Sequence, residues 1–373
     1  MKVIRALGIM LALGLVRLLE PIVLIRFGTL FVSRPGHLTG NTECYLCERD
    51  AKKLKTFDIW CPVGEPANPY LLHMFSRVIP IWRWAAIMNA VGKRWKWWEK
   101  HTFSDAQWGR DINNLMERSP SHLSFTFSEE KRGRIGLRAL GIPEGAKLVC
   151  IINRDPIYLK VKEPAQDYSY HDFRDSDINN YRQAALALME RDYYVIRMGV
   201  HVDGPMKLQA PKFIDYAASG KRSDFMDIYL GAKCEFCISN GTGFDGIPMI
   251  FRRPICFVNE APFEYLSTWM VNSLAIWKHH WKDGKRMSVQ EILAAKAGLF
   301  FKSEHYAAAG ISLEQNTPEE IKEAVLEMLE LSQDSQKWFW SQYPRSSSPF
   351  NGLPLHGEIR LRIGAKFLEQ YKN

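Results

Sequence analysis

Apolar and polar positions fall in blocks along this chain, and the blocks change period. Short continuous apolar runs recur at 23–32 (VLIRFGTLFV), 56–63 (TFDIWCPV), 148–152 (LVCII), 194–198, 213–216, 235–239 and 255–258. Bounded by glycine, proline or charge, such runs predict strands, the short ones covered on both faces. Between them lie stretches with a helical period at 42–53, 69–77, 127–140, 177–191, 224–231 and 244–251. In 177–191, Tyr181, Ala184, Ala185 and Leu188 share one face. The 127–140 stretch opens on an SEE cap signal and stops at Gly141. Strand and helix therefore alternate, which predicts an α/β fold with parallel sheets. Residues 287–335 read as further helices, and 357–370 as a last one.

Composition narrows this little. The chain has 373 residues, 46% apolar and 24% charged, which excludes a disordered tail, a collagen-like rod and a small disulfide-stapled domain. The length suits two domains. There are 49 basic and 41 acidic residues, a formal net charge of +8. That charge serves nucleic acid, anionic lipid or phosphorylated ligands alike, so position must decide. The seven cysteines read as small buried hydrophobes of a reducing compartment. Two C-x-x-C pairs occur, Cys44/Cys47 and Cys234/Cys237. The first lies on a helix and the second on a strand, where that spacing faces opposite ways, so a four-thiolate zinc site is not expected. The zinc-protease, P-loop and nucleophile-elbow signatures are absent, so those three readings lose support. His279 and His280, flanked by Trp277 and Trp281, read as a surface pair.

Position first matters at the N-terminus. Residues 6–16 are an uncharged run of eleven between Arg5 and Arg17. That is too short to span a bilayer, which takes about 20 apolar residues. Lys2 and Arg5 suit a signal peptide, but no small-x-small cleavage site follows. The segment 1–21 reads as an uncleaved helix lying in the membrane interface; the alternative packs it on the protein's own core. Segment 81–100 supports the first reading. Trp82, Trp84, Trp95, Trp97 and Trp98 are interleaved there with Arg83, Lys93, Arg94 and Lys96. Indoles favour the headgroup layer, and lysine and arginine favour anionic lipid. Stacked aromatics beside cations also suit single-stranded nucleic acid, but two such segments together favour lipid over nucleic acid.

Candidate chemistry gathers in the second half. At 239–254 (SNGTGFDGIPMIFRRP) a strand ends, glycines follow and a helix begins. Bare backbone N–H groups there form an anion site, and the carboxyl edge of a parallel sheet is where ligands bind. Ser239, Asn240, Gly241, Thr242 and Gly243 are the candidates for a phosphate loop; the plainer reading is a tight turn. Arg154, Arg174, Arg197, Lys221 and Arg222 follow other strand ends; each could neutralise a diphosphate or simply sit in a surface ion pair, and their convergence on one rim favours the first. In the first half, His37 follows Pro35-Gly36 directly after a strand and is a candidate general base or phosphate partner, or a helix cap; Asp245 is the second candidate.

The strings HDFRDSDINNYRQA (171–184), YYVIRMG (193–199), FIDYAASGKRSDFMDIYLGAKCEFCISNGTGFDGIP (213–248) and FRRPICFVN (251–259) resemble a family of bacterial glycosyltransferases met in surface-polysaccharide gene clusters. Gly36, His37, Leu38, Asn41 and Glu43 near the start, and Arg362 to Leu368 near the end, are similar too. The resemblance implies a GT-B-like α/β architecture of two Rossmann-like domains facing a cleft. The expected bounds are an interface helix at 1–21, an acceptor domain at 22–145, a donor domain at 146–350 and a C-terminal helix at 351–373 returning to the first domain. It implies a nucleotide-sugar donor, a glycan acceptor that is lipid-linked, no metal, and work at the cytoplasmic face of the inner membrane. The other readings are an epimerase or hydrolase of nucleotide-sugars on the same fold, or a non-catalytic membrane-bound scaffold of polysaccharide assembly.

Overall fold

The computed structural model describes residues 2–103, 109–333, 350, 353 and 356–371. The chain divides into two compact units, residues 1–111 with 115–124, and residues 112–114 with 125–373. Both are α/β with parallel strands, the class the alternating blocks predict.

Unit 1 begins with helix α1 (Lys2–Leu19), then β1 (Leu24–Phe31), α2 (Thr42–Lys52), β2 (Thr56–Val63), α3 (Pro69–Ser76) and α4 (Ala85–Gly92). Strands β1 and β2 pair in parallel, with single bridges to Thr102 on one side and Ile81 on the other. Among the described residues this sheet has two strands. Cross-strand partners Arg26 and Asp58 form a bidentate pair, Nε to Oδ1 at 2.8 Å and Nη2 to Oδ2 at 3.0 Å. Tyr45 hydrogen-bonds the same carboxylate. This closes the polar groups of a sheet whose neighbours Phe27 and Trp60 are fully buried.

The two faces of α1 differ, and one of them packs on the protein's own core. Leu13 and Val16 are buried against Phe27, Ile59, Cys61, Ala85, Met88 and Trp98. Leu7, Leu11, Leu15, Leu18 and, just past the helix, Ile22 are exposed. The tryptophan segment packs on the same cluster. Trp98 is fully buried and its indole N–H donates to Asn89 Oδ1 at 2.9 Å. Trp82, Trp95 and Trp97 are partly buried, and Trp84, stacked on Trp82, is exposed. No helix of the described residues is long and apolar enough to cross a membrane.

Unit 2 is built on a seven-stranded parallel sheet of β3 (Lys147–Ile151), β4 (Tyr193–Arg197), β5 (Phe213–Ile214), β6 (Phe236–Ser239), β7 (Ile255–Glu260), β8 (Leu274–Trp277) and β12 (Arg362–Ile363). Its order is β12-β8-β7-β6-β3-β4-β5. A small antiparallel sheet of β9 (His279–Lys282), β10 (Lys285–Arg286) and β11 (Ile311–Glu314) follows β8. The chain runs outward from β3 through β4 and β5, returns beside β3 as β6, and runs outward the other way. Residues of β6, β7 and β8 are buried throughout, as continuous apolar runs require.

Several expectations are corrected. The division falls near 124, not 145. The helix Phe127–Ala139, capped by a Thr126/Glu129 box, belongs to unit 2. Gly133 lets it close on Tyr229, whose ring an added Cβ would meet at 2.1 Å. The segment expected to return to unit 1 instead adds β12 beside β8 and sets the helix Ala365–Glu369 against Trp277. The expected boundary at 350–351 borders residues outside those described. His279 and His280 are buried. His279 Nε2 lies 3.0 Å from Glu320 Oε1, and His280 Nδ1–H donates to the Lys278 carbonyl at 2.9 Å.

Glu320 carries a pH dependence. Burial pushes its carboxyl up, but His279, the Thr317 N–H and Gln370 outweigh this and bring it down to about 2. A depressed carboxylate stabilises fully above its unfolded value near 4.5, and that stability is lost as pH falls toward 2. Glu320→Gln is expected to flatten the acid limb by about 2 kcal/mol, read as urea midpoints at pH 6 and pH 3.

Candidate functional site

In a doubly wound sheet the crevice opens where the strand order reverses, at the carboxyl ends of the two strands that diverge. Here these are β3 and β6. The chain leaves β3 as Asn153-Arg154 and leaves β6 as Asn240-Gly241. Asn240, fully buried, joins the two. Its Oδ1 accepts from the Arg154 N–H at 2.7 Å, and its Nδ2 donates to the Arg174 carbonyl at 2.9 Å and to Ser176 Oγ at 3.1 Å. Asn153 Nδ2 adds a bond to the Ser176 carbonyl at 2.9 Å. The loop 169–176 is thereby fastened across the switch point.

This loop delivers Arg174, whose guanidinium donates to the Gly241 carbonyl. Gly241 sits at φ +80°, and a Cβ there would lie 2.8 Å from Glu260 Oε2. Only glycine passes at this turn. Arg154 Nε lies 3.1 Å from Asp175 Oδ1. Arg154 and Arg174 are both half-buried, and the Nε of each is buried without a hydrogen-bond acceptor among the described residues. Lys278, just past β8, is buried and donates to the Phe173 and Asp175 carbonyls at 2.8 and 2.6 Å. Burial brings its amine down to about 8 and pushes the Asp175 carboxyl up to about 6 against the pull of Arg154.

The glycine loop itself is a turn as well as a candidate site. Asp245 Oδ2 accepts from the Thr242 N–H at 2.8 Å, and Thr242 Oγ1 accepts from the Phe244 N–H at 3.2 Å. Burial pushes the Asp245 carboxyl up to about 6. Ser239 is buried, Thr242 half-buried and Gly243 exposed. The helix that follows is short, Gly246–Ile250.

Arg154, Arg174, Asn240 and Gly241 are therefore brought together. Arg197 is not available as expected: it is 1% exposed and its Nη1 donates to the Gly204 carbonyl at 2.7 Å and Asp215 Oδ2 at 3.2 Å. It shapes the loop after β4. Arg222 is held by Asp224 at 2.9 Å and Asp227 at 2.6 Å, at the start of the helix Asp224–Lys233. His37 belongs to unit 1, half-buried at the head of a wide helical turn, His37–Asn41, with its ring 6.3 Å from that of Phe31. Sequence reading missed Asn153, Ser176, Glu260 and Lys278. A signal for the last existed, since LAIW at 274–277 is one more buried apolar run that ends in a polar residue.

No family model matches the chain, and no curated protein matches it by sequence. Solved structures similar to it include a glycosyl transferase of family 9 from Veillonella parvula, 11% identical, covering 83% of this chain and 98% of that one with a TM-score of 0.49. The ADP-heptose LPS heptosyltransferase II of E. coli is 10% identical over 83% of this chain and 100% of that one, with a TM-score of 0.46. A UDP-N-acetylglucosamine 2-epimerase of Neisseria meningitidis bound to UDP-GlcNAc is 12% identical over 83% and 100%, with a TM-score of 0.27. Likeness at this level is descriptive; the fold and the switch point rest on the strand order above.

Proposed function

We propose that the chain is a GT-B-type glycosyltransferase that takes a sugar from a nucleotide-sugar and passes it to a glycan acceptor. The observation that supports this is the meeting of Arg154, Arg174 and the Gly241 turn at the carboxyl edge where the order of β3 and β6 reverses. A nucleotide diphosphate laid in that crevice meets two guanidinium forks and a turn with no side chain to obstruct it. Transfer breaks the bond between the anomeric carbon and the diphosphate oxygen, and the electron pair leaves with the diphosphate. The arginines meet the charge that develops there, so the step asks for no bound metal. The acceptor hydroxyl gives its proton to a base, and His37 is the group we assign. Asp245 comes second, because its carboxylate already holds the Thr242 turn. The acceptor is lipid-linked, in surface-polysaccharide synthesis at the cytoplasmic face of the inner membrane, with the exposed stripe of α1 and the exposed Trp84 in the headgroup layer.

Calorimetry against UDP, GDP, ADP, dTDP and CMP tests the donor site. One of them is expected to bind, and Arg174→Ala to weaken it at least about 10-fold, the worth of one charge-assisted contact. Unchanged affinity in Arg174→Ala and Arg154→Ala would overturn the assignment, as would failure of all five nucleotides to bind.

A further inference from the structure

Unit 1 holds a polar cluster that the proposed function leaves unused. Glu43 and Cys47 lie four residues apart on α2, hence on one face, and both are fully buried. His122 comes to them from the segment 115–124. Its Nδ1 is 3.0 Å from Glu43 Oε1, and its Nε2 is 3.1 Å from Asp50 Oδ2. Cys47 Sγ is 4.0 Å from Glu43 Oε1. One sulfur, one imidazole nitrogen and one carboxylate oxygen thus all fall within 4.8 Å of one another.

We propose that Glu43, Cys47 and His122 bind a divalent cation of the zinc class. Bonds of about 2.0 Å to nitrogen and oxygen and about 2.3 Å to sulfur, set tetrahedrally, hold such atoms about 3.3–3.6 Å apart. The observed 3.0 and 4.0 Å bracket that spacing, so an ion fits with donor shifts of about half an ångström. A thiolate, an imidazole and a carboxylate suit zinc and disfavour magnesium or calcium, which take oxygen ligands. Thiolate and carboxylate together balance the ion's double charge. Asp50 supplies the outer contact: His122 Nε2–H donates to it and leaves the Nδ1 lone pair facing the ion. The His122 side chain is 10% exposed, which leaves water a route to a fourth position. Four-thiolate reasoning misses this site because only one of its ligands is a cysteine. The ion would tie 115–124 to α2, separate in sequence from the switch point.

The test uses the full chain, stripped with a chelator and titrated with Co²⁺ and Zn²⁺. One equivalent of Co²⁺ is expected to bring a thiolate-to-cobalt charge-transfer band and intense tetrahedral visible bands, displaced by Zn²⁺. Cys47→Ser is expected to lose the charge-transfer band while Cys44→Ser keeps it. Asp50→Asn, at an exposed position, is expected to weaken binding about 10-fold. Absence of the band in the parent chain, or its persistence in Cys47→Ser, overturns the proposal. Should Cys47→Ser fail to fold, unchanged affinity in Asp50→Asn does so. Nucleotide binding is not part of this readout, so the two readings fail separately.

Discussion

Asn240→Ala is expected to cost about 3–4 kcal/mol of unit 2 stability and to release the loop 169–176. Three side-chain hydrogen bonds are lost, each worth about 1 kcal/mol net, and the partners they leave are largely buried. An unsatisfied buried donor or acceptor costs about 1–3 kcal/mol, so the Arg154 N–H and the Arg174 carbonyl add to the loss unless water reaches them. Because Asn240 positions both arginines through their backbones, nucleotide affinity is expected to fall by more than Arg174→Ala alone produces. Asn240→Asp sharpens the point. The carboxylate still accepts from Arg154 N–H but cannot donate, and it faces the Arg174 carbonyl. Thr242→Ala is the contrast, losing a cap worth about 1 kcal/mol without touching the loop. Urea unfolding measures the stability, and amide exchange at 169–176 measures the loop. Parent-like protection of that loop in Asn240→Ala would show that Lys278, not Asn240, holds it.

The difference between what was legible and what was not follows from range. Runs such as LVCII and the CEFCIS stretch announce covered strands because burial on both faces removes alternation. The glycine turn at Gly241 was legible for the same local reason. Arg197 was not. An arginine ending β4 can turn to the crevice or back beneath the loop, and Asp215, eighteen residues on, decides for the second. Lys278 ends the apolar run LAIW, but its burial was not legible, because polar residues in WKHHW look solvated until the small sheet of β9–β11 covers them. The helix Phe127–Ala139 was legible as a helix, but its unit was not, since Gly133 meeting Tyr229 is a contact across nearly a hundred residues. Of α1 the sequence shows apolar residues nearly all round; which of them meet protein is a tertiary fact.

That division of α1 carries the second large effect. Leu11→Glu, Leu15→Glu and Leu18→Glu together are expected to abolish binding to anionic vesicles and leave the fold intact. The three side chains are 68%, 54% and 74% exposed, so the folded protein gives up little when they change. Their spacing puts them on one helical stripe with Leu7. Sinking a leucine halfway into an acyl boundary is worth about 1 kcal/mol, and a glutamate resists entry, so partitioning should fall at least about 100-fold. Leu13→Ala does the reverse. Leu13 is 2% exposed among Phe27, Ile59 and Trp98, so its loss costs about 2–5 kcal/mol of stability and spares the exposed stripe. Charge gives a separate handle. Arg83, Lys93, Arg94 and Lys96 are exposed, and a cation near an anionic surface is worth about 1 kcal/mol. Neutral vesicles, or anionic ones in high salt, should therefore bind the parent chain far more weakly. Co-flotation reads both effects. If the triple variant floats with vesicles like the parent, the stripe of α1 is not the anchor; if neutral and anionic vesicles bind alike, the cations face elsewhere.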